Sequence, residues 1–576
     1  MIHPLFPTLF LLALPFTQAI IATTKLTKPT TNKYKATQVK NAISHAWHGY
    51  MDYSHLSDDL KPISRTGDKW LHSRATFYDA LDTLYLAGLH NEFNSAVSEI
   101  IGESRTGKWW KPWKFWQYWH QGVPTSVIYP VKTFEYHIRV VGGLLGAYTV
   151  SGNRELLHAA QFAADCLLSS FKTPNGLPRP HTRVAHPYRT PIFYGIAKML
   201  DAVRITFDRV VWCNTLAGLG SFGVELRVLS RETGNSKYRF IADQVHNHIY
   251  KQWKEKNNNT TSNGYQSKNW KVPQPDYLSK ISKWFHIADE DESSCGDSKN
   301  RVGFGSGGDS YYEYLLKESL LEEEHLIEAT TIKERQKMTR RRAANSKASP
   351  ILMKLYQELT KSLHHSSSLI PNNDIQNHIA RRTKDGKTTY MTDLNSKMTS
   401  HLSCFSGGLL ALGTFQLHQS KKDLELAKAI TEECAQSYAV SPIGLGSEEF
   451  EVNPENGHVK LKGGDHQLRP EVIESLFILW RVTKNEKWRN YGWNIFLNIE
   501  KYCKIKTGGY SGIKNVKKAT PNTIEHDDYQ PSFFLAETLK YLYLMFAEDE
   551  SGKPLLPLGK EENQNMYCYW CSIKCI

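Results

Sequence analysis

From Gln38 onward, apolar residues recur at three- and four-residue spacing over most of the chain, which is the pattern of amphipathic helices. Strict alternation of apolar and polar residues, which marks a half-buried strand, is rare. Short polar turns separate the helical segments at 151–153, 233–235 and 483–485, and a looser copy lies at 88–91. Gly and Asn in such turns supply the left-handed residue that ends a helix. The repeated unit is therefore a pair of helices joined by a tight turn.

Repeated helix pairs predict a stacked or circular αα architecture. The units recur too irregularly for a simple solenoid. A closed ring fits better, because a ring places one pocket on its axis. We therefore predict an all-α toroid of helix hairpins with a central acidic pocket, formed by a single domain at residues 39–560.

Three stretches interrupt the helical pattern. The aromatic run from Trp109 to Trp119 either lines a sugar groove or caps the barrel, and we favour the cap because aromatic rings serve burial more often than ligand binding. Residues 254–268 form a polar loop with glycosylation sequons at Asn258 and Asn259. Residues 332–349 are basic, as expected of a solvated surface.

Composition and charge narrow the class of protein. The 576 residues are 40% hydrophobic and 22% charged, which is typical of a globular protein. The formal net charge of +13 raises the question of nucleic acid. The basic residues are scattered or confined to one insert, and we find no nucleic-acid-binding motif, so we expect no nucleic-acid partner.

The first 22 residues resemble a secretory signal peptide. Leu9–Leu14 is a short apolar core, and Ala19 or Ala22 offers a small residue for cleavage. The short core and its flanking prolines argue against a membrane span, although an uncleaved anchor is an alternative, because the segment before the core lacks Lys and Arg. We expect a linker at 23–38 and a protein in the lumen of the endoplasmic reticulum or Golgi, or secreted. Membrane attachment would need the uncleaved anchor.

The nine cysteines are compatible with an oxidising compartment. Three of them, Cys568, Cys571 and Cys575, crowd a divergent tail at residues 561–576. Their spacing lacks the second ligand pair of a zinc site, so loose thiols are the better interpretation.

Six acidic residues stand beside apolar or aromatic neighbours near predicted helix ends: Asp82, Glu135, Asp309, Glu471, Glu474 and Glu537. The clearest case is the stretch 468–475, where Pro470 suits a helix start and the two glutamates share one face. Each acid alone has a simpler interpretation as a helix cap or as the partner of a nearby Arg, such as Arg469.

Together, these acids would enter one cavity if the ring closes. Carboxyls crowded in a site of low dielectric have pKa values that are pushed apart, which provides an acid and a base at one pH. Paired carboxylates beside aromatic surfaces are what glycoside hydrolysis needs. The sequence contains no nucleophile elbow, phosphate loop or HExxH motif, so acyl transfer, phosphoryl transfer and zincin chemistry have no support.

The motifs around these acids resemble those of glycoside hydrolase family 47, the class I α-1,2-mannosidases that trim high-mannose N-glycans. The likeness runs from about Ala46 to Leu558 and is nearer to the fungal secreted and Golgi-type members than to the strict endoplasmic-reticulum type. Several motifs occur in the family's order: Leu81–Leu84, Phe134–Gly143, Gly308–Tyr314, His401–Phe405, Leu468–Ser475 and Phe533–Tyr541.

The resemblance implies an (αα)7 barrel, inversion at the anomeric carbon and a bound calcium ion. It implies three catalytic carboxylates, with Glu471 as the base that activates water and either Glu135 or Asp309 delivering the proton. The residues implied in substrate binding are Asp82, Arg139, His401, Arg469, Glu474, Phe533 and Glu537. Cys404 and Cys434, at the ends of two successive helical segments, match the family's disulfide. We expect a monomer that acts on N-glycans of glycoproteins.

The chain departs from the family pattern near its end. Family members carry an Asn-Thr-Glu-Ala-His-Pro stretch whose Thr binds calcium directly, whereas no Thr follows Thr538 here. An active α-1,2-mannosidase is the leading hypothesis. A catalytically impaired relative that binds mannose glycans in glycoprotein quality control is the alternative, and a protein-binding helical scaffold is a third. Gly218 and Gly307 replace larger residues of the endoplasmic-reticulum members, so we expect several α-1,2 linkages to be accepted.

Overall fold

The computed structural model describes residues 31–105, 130–184, 212–257, 269–272, 303–328, 348–368, 379–393, 396–417, 421–556 and 558. Several of the sequence predictions lie outside the described residues: the signal segment 1–22, the aromatic run 109–119, the two sequons, the arginines at 340–342 and the tail 561–576.

Helices make up most of the described structure. In chain order they are α1 (Asn32–Ser54), α2 (Ala75–Asp79), α3 (Leu81–Leu86), α4 (His90–Arg105), α5 (Thr133–Tyr136), α6 (Gly142–Ser151), α7 (Arg154–Leu167), α8 (Leu216–Gly220), α9 (Gly223–Thr233), α10 (Ser236–Asn257), α11 (Asp309–Glu328), α12 (Ala348–Ser368), α13 (Phe405–Gln416), α14 (Lys421–Ala439), α15 (Glu471–Thr483), α16 (Glu486–Tyr502) and α17 (Leu539–Phe546). Two π-helical turns span His137–Val141 and Phe534–Thr538, and two 3-10 turns span Leu168–Phe171 and His401–Cys404.

The helices close into a double ring. Inner-helix contacts run from α3 to α6, α9, α11, α13, α15 and α17, and the turn Phe534–Thr538 returns to α3. Each inner helix packs against one helix of an outer set, in the pairs α3–α4, α6–α7, α9–α10, α11–α12, α13–α14, α15–α16 and α17–α1. This arrangement confirms the predicted toroid of helix hairpins and gives the seven pairs of an (αα)7 barrel.

The inner helices pack against both of their neighbours and against the outer ring, so each is buried on more than one side. In α15, every residue from Val472 to Arg481 is buried. Close approach of α13 to α15 requires Gly408, where a Cβ atom would lie 2.9 Å from Ile478 Cδ1. The Ser475 hydroxyl fixes this contact, because it accepts from the Gly408 amide at 2.7 Å.

The turns between paired helices follow the predicted chemistry with one exception. Gly152 and Gly234 adopt left-handed φ angles of 67° and 70°. In the third hairpin, Lys484 takes the left-handed position with φ 56°, and Asn485 instead caps α16 by accepting from the Lys487 amide. Asn was therefore placed correctly in the turn, but its side chain caps the next helix rather than ending the previous one.

The predicted linker at 23–38 is wrong for residues 32–38, which belong to α1. The Thr31 side chain caps this helix by accepting from the Tyr34 amide. Lys35 then lies 5.4 Å from the Trp493 ring centre, so tertiary contacts hold this polar segment as a helix.

The strands are short. They are β1 (Asp59–Lys61), β2 (Thr66–Asp68), β3 (Val131–Lys132), β4 (His181–Thr182), β5 (Trp212–Thr215), β6 (Asn269–Val272), β7 (Ala380–Arg382), β8 (Thr389–Met391), β9 (Met398–Ser400), β10 (Glu449–Val452) and β11 (Val459–Leu461). They form four two-stranded ribbons and one three-stranded sheet of order β11–β10–β9, all with antiparallel pairing. Strand β9 leads directly into the turn at His401. Among the described helices, none is long and apolar enough to cross a membrane.

The predicted disulfide is present. Cys404 and Cys434 are bonded, with Cα atoms 5.9 Å apart. The bond joins the turn His401–Cys404 to the outer helix α14 and thereby anchors the segment that carries His401.

Candidate active site

The three predicted catalytic carboxylates sit at the starts of inner-ring segments. Glu471 is the first residue of α15, Asp309 is the first residue of α11, and Glu135 lies in α5, which leads into α6. Helix N-termini favour anions because their amides are unpaired. Together with Glu313, Glu474 and Glu537, these residues form the acid cluster.

Glu471 is held as an anion. The His401 Nδ1 atom lies 2.8 Å from the Glu471 carboxylate, and His401 Nε2 lies 2.8 Å from the Tyr438 hydroxyl. Burial alone would raise the pKa of Glu471, but the hydrogen bond and charge of His401 and the charge of Arg469 outweigh burial, so the pKa is lowered. A carboxyl with a lowered pKa at a partly accessible position is suited to act as a base.

Arg469 does not make the ion pair with Glu471 or Glu474 that the simpler sequence interpretation proposes. Its Nε bonds the Glu448 carboxylate, and a terminal nitrogen donates to the Gln467 side chain at 3.1 Å. That interpretation is wrong because the loop before β10 supplies Glu448 as a nearer anion. The Arg469 guanidinium also lies 5.6 Å from the Phe533 ring centre, so these two predicted substrate-binding residues are adjacent.

Arg139 donates hydrogen bonds to three side chains at the part of the cluster that contains Glu135. It projects from the π-helical turn His137–Val141 and donates to Glu135 at 2.9 Å, to Asp79 at 3.0 Å and to the Ser532 hydroxyl at 2.7 Å. Its side chain is only 12% exposed. Burial opposes the charge, but the nearby acids Glu135, Asp59 and Glu537 together raise its pKa, which keeps it cationic.

Two acids of the cluster are protonated more readily than usual. Burial, with the charges of Glu471 and Glu313, raises the pKa of Glu537 to about 8. Burial also raises the pKa of Glu474, reinforced by the charges of Glu313, Glu537 and Glu471. Within the described chain, neither side chain accepts a hydrogen bond, whereas Glu313 pairs with Lys317. The surroundings of the cluster therefore favour protonation of these two acids, because its own cations do not offset burial and the neighbouring carboxylates.

Electrostatic contacts connect all three predicted catalytic acids. Glu135 pairs with Arg139, whose charge also acts on Glu537. Glu537 in turn interacts with Glu471, and the charge of Asp309 acts on Arg469 beside Glu471. Acids that are far apart in sequence are thus brought into one cluster.

Asp82 occupies a different environment. Its carboxylate bonds the Lys540 ammonium at 2.6 Å, and its side chain is 2% exposed. The charge of Lys540 also lowers the pKa of Glu537, so the Asp82–Lys540 pair acts electrostatically on the cluster. A role of Asp82 in substrate binding stays a prediction.

Sequence reasoning missed several residues of this site: Asp79, Glu313, Glu448 and Ser532. Two of them had a local signal. Asp79 lies three residues before Asp82, and Glu313 lies four residues after Asp309 in a stretch that was already singled out. Glu448 and Ser532 had none, because only the closed fold brings them to Arg469 and Arg139.

The chain is similar to known proteins in both sequence and structure. The model of Glycosyl hydrolase family 47 matches residues 42–558. The chain is 31% identical over 545 residues to human mannosyl-oligosaccharide 1,2-alpha-mannosidase IB, covering 91% of this chain and 68% of the relative. It is 30% identical over 532 residues to the human endoplasmic reticulum mannosyl-oligosaccharide 1,2-alpha-mannosidase, covering 90% of this chain and 61% of that relative.

The solved structure of an alpha-1,2-mannosidase from Trichoderma reesei superposes with a TM-score of 0.65. It covers 90% of this chain and 95% of the fungal chain at 22% sequence identity. At that identity the likeness establishes the shared fold and no more.

Proposed function

The chain belongs to glycosyl hydrolase family 47, and on that premise we propose that it is an inverting mannosyl-oligosaccharide 1,2-α-mannosidase. Its substrates are the α-1,2-linked mannoses of high-mannose N-glycans. The observation that carries the proposal is Glu471, which is kept anionic by His401 within a cluster of carboxyls. The human relatives have names that give the same linkage.

The reaction needs one base and one proton donor on opposite sides of the sugar. Glu471 takes a proton from water as the water oxygen bonds the anomeric carbon. The glycosidic C–O bond breaks, and its oxygen takes a proton delivered by Glu135 or Asp309, directly or through a second water. Attack from the side opposite the leaving oxygen inverts the anomeric configuration.

The remaining residues bind and orient the sugar. Arg139 and Arg469 present guanidinium donors, which suit the hydroxyls of a hexose. Phe533 offers an aromatic face beside Arg469, and such faces stack on sugar rings. Glu474 and Glu537, with their raised pKa values, are able in the protonated form to donate a hydrogen bond to a sugar hydroxyl as well as to accept one.

We also propose Ca²⁺ as the cofactor, as is general in the family. The charge of the site fits a cation, because the negative charges of Glu313, Glu471 and Glu537 raise pKa values within the cluster. The direct ligands do not fit: within the described residues, no group of three His, Cys, Asp or Glu side chains is arranged to hold a metal ion. Carboxylates would hold the ion through water, where its charge would attract sugar hydroxyls.

Thermal unfolding tests the calcium proposal without turnover. Added Ca²⁺ should raise the melting temperature of the wild-type protein, and Glu474→Gln should reduce that increase. Mg²⁺ at the same concentration serves as the control ion. An identical melting temperature with Ca²⁺ and with chelator would reject a calcium site.

The substrate implies a place in the secretory pathway, where N-glycans are processed. We propose a lumenal or secreted monomer, within the endoplasmic reticulum or Golgi, with N-glycoproteins as partners. Because Gly218 and Gly307 carry no side chain, we propose that several α-1,2 linkages are accepted. Digestion of a high-mannose glycan that stops after one defined mannose would contradict this breadth.

Linkage-defined disaccharides test the main proposal. The purified protein should hydrolyse α-1,2-mannobiose and leave α-1,3- and α-1,6-mannobiose intact. Assays should run with added Ca²⁺ and with chelator. Binding of α-1,2-mannobiose without hydrolysis under any condition would instead favour the glycan-binding alternative.

A further inference from the structure

One hydrogen bond joins two segments of the acid cluster that are 70 residues apart in sequence. The Thr538 hydroxyl donates to the carbonyl oxygen of Leu468 at 2.7 Å. Both residues are 0% exposed. Thr538 directly follows Glu537, and Leu468 directly precedes Arg469. The bond therefore connects the segment carrying one acid of the cluster to the segment carrying Arg469 and Glu471.

The backbone at Leu468 is unusual for its residue type. Its φ is 60°, in the left-handed region that residues with a Cβ rarely adopt. This conformation sets the direction in which the chain enters α15 at Glu471. A buried carbonyl needs a hydrogen-bond partner. The Thr538 hydroxyl supplies one to the Leu468 carbonyl and so favours the conformation that orients the start of α15.

The segment that carries Glu537 is bonded at both ends. Arg139 donates to the Ser532 hydroxyl at 2.7 Å just before the π-helical turn Phe534–Thr538, and Thr538 closes the turn against Leu468. The turn thus spans the gap between the Arg139 side and the Glu471 side of the cluster. π-helical turns are frequent at functional sites.

We propose that Thr538 is a positioning residue for the mannosidase reaction, holding Leu468 so that Arg469 and Glu471 keep their placement relative to Glu537. This inference rests on the proposed function. Thr538 does not touch the sugar; it acts through the backbone before Glu471. A displacement of about 1 Å in a reacting group is enough to cost about 10²-fold in rate.

Two substitutions separate the hydroxyl from the side-chain shape. Thr538→Val keeps the shape and removes the hydroxyl, so on α-1,2-mannobiose kcat should fall at least tenfold and KM should rise at least tenfold, because Glu471 and Arg469 both lose their placement. Thr538→Ser keeps the hydroxyl and should hold kcat within threefold of wild type, although it removes a buried methyl group. The acidic limb of the kcat profile should move to higher pH in Thr538→Val, because Glu471 loses its alignment with His401 and Arg469.

Thr431 provides the matched control. It is also 0% exposed, and its hydroxyl donates to the Ala427 carbonyl at 2.9 Å within the outer helix α14. Thr431→Val should lose stability comparably and keep kcat. Equal kcat in Thr538→Val and Thr431→Val would overturn the inference, as would a Thr538→Ser protein as slow as Thr538→Val.

Failure of the proposed function has a separate signature. If wild-type protein hydrolyses no α-1,2-mannobiose, the mannosidase proposal fails by itself. Calorimetric binding of the same disaccharide then decides the placement role: Thr538→Val should weaken binding at least tenfold and Thr538→Ser less than threefold. Equal affinities, or no binding by any of the three proteins, would reject it.

Discussion

Two buried groups of charged residues lie close together in this barrel and differ in how completely their charges are paired. The first, the wall network, joins α9, α10 and α11 and comprises His137, Glu225, Arg227, Asp243, His246, Tyr314 and Glu318. In it, Glu225 contacts His137 at 3.0 Å and accepts from Tyr314 at 2.8 Å. Glu318 accepts from Arg227 at 2.9 Å and contacts His246 at 2.9 Å. In the acid cluster, by contrast, Glu474 and Glu537 have raised pKa values.

This difference in pairing distinguishes charged residues that stabilise the fold from those that bind a ligand or take part in a reaction. A buried network of paired charges rigidifies the fold, whereas carboxyls with perturbed pKa values are concentrated where a ligand or a reaction uses them. The π-helical turn His137–Val141 serves both groups, since His137 belongs to the wall network and Arg139 to the acid cluster. Substitutions in the two groups should therefore affect different properties.

The largest expected effect is on catalysis. Glu471→Gln removes the base and keeps its size, so kcat on α-1,2-mannobiose should fall about 10³-fold, within the range for loss of a general base. Circular dichroism and thermal unfolding should match the wild-type protein. Glu486→Gln is the control, because Glu486 also begins a helix but is 64% exposed on the outer ring. Retained turnover in Glu471→Gln would move the base elsewhere.

The next effect is on stability. Glu318→Ala leaves Arg227 and His246 without their shared carboxylate, and loss of one partner from a buried ion pair costs about 3–5 kcal/mol. Denaturant unfolding should show that decrease, while the folded fraction keeps kcat within threefold. If Glu318→Ala instead abolished turnover in a stable protein, the distinction between the two groups would fail.

The smallest effect is on the pH dependence of stability. Because the pKa of Glu537 is raised from 4.5 to about 8, the folded protein holds a proton there that the unfolded chain releases. Stability contributed by this group is therefore lost as pH rises through that window. Glu537→Gln should make the slope of the free energy of unfolding against pH shallower by up to about 1.4 kcal/mol per pH unit. If the free energy of unfolding changes with pH in the same way for the two proteins from pH 5 to 8, the raised pKa is contradicted.

Local pattern was enough to predict the helices and most of the acids. Hydrophobic periodicity and the capping turns predicted the hairpins, and the apolar neighbours of Glu471 and Glu537 marked them as unusual. Partners brought together by ring closure were out of reach, which is why Glu448, the partner of Arg469, was missed. The wall network was missed for the same reason: Glu225 and Glu318 are 93 residues apart in sequence, and their partners come from four segments. The linker error at 32–38 arose because aromatic side chains from α16 and α17 stabilise a helix of low hydrophobicity.

The most direct test of the account follows the first turnovers of the wild-type protein by proton NMR on the methyl glycoside of α-1,2-mannobiose, from which the cleaved mannose is the only free sugar released. The anomeric signal of the released mannose is read before mutarotation. If Glu471 activates water on the face opposite the leaving oxygen, β-mannose appears first. Initial release of α-mannose, or no release from folded protein supplied with Ca²⁺, would contradict the account.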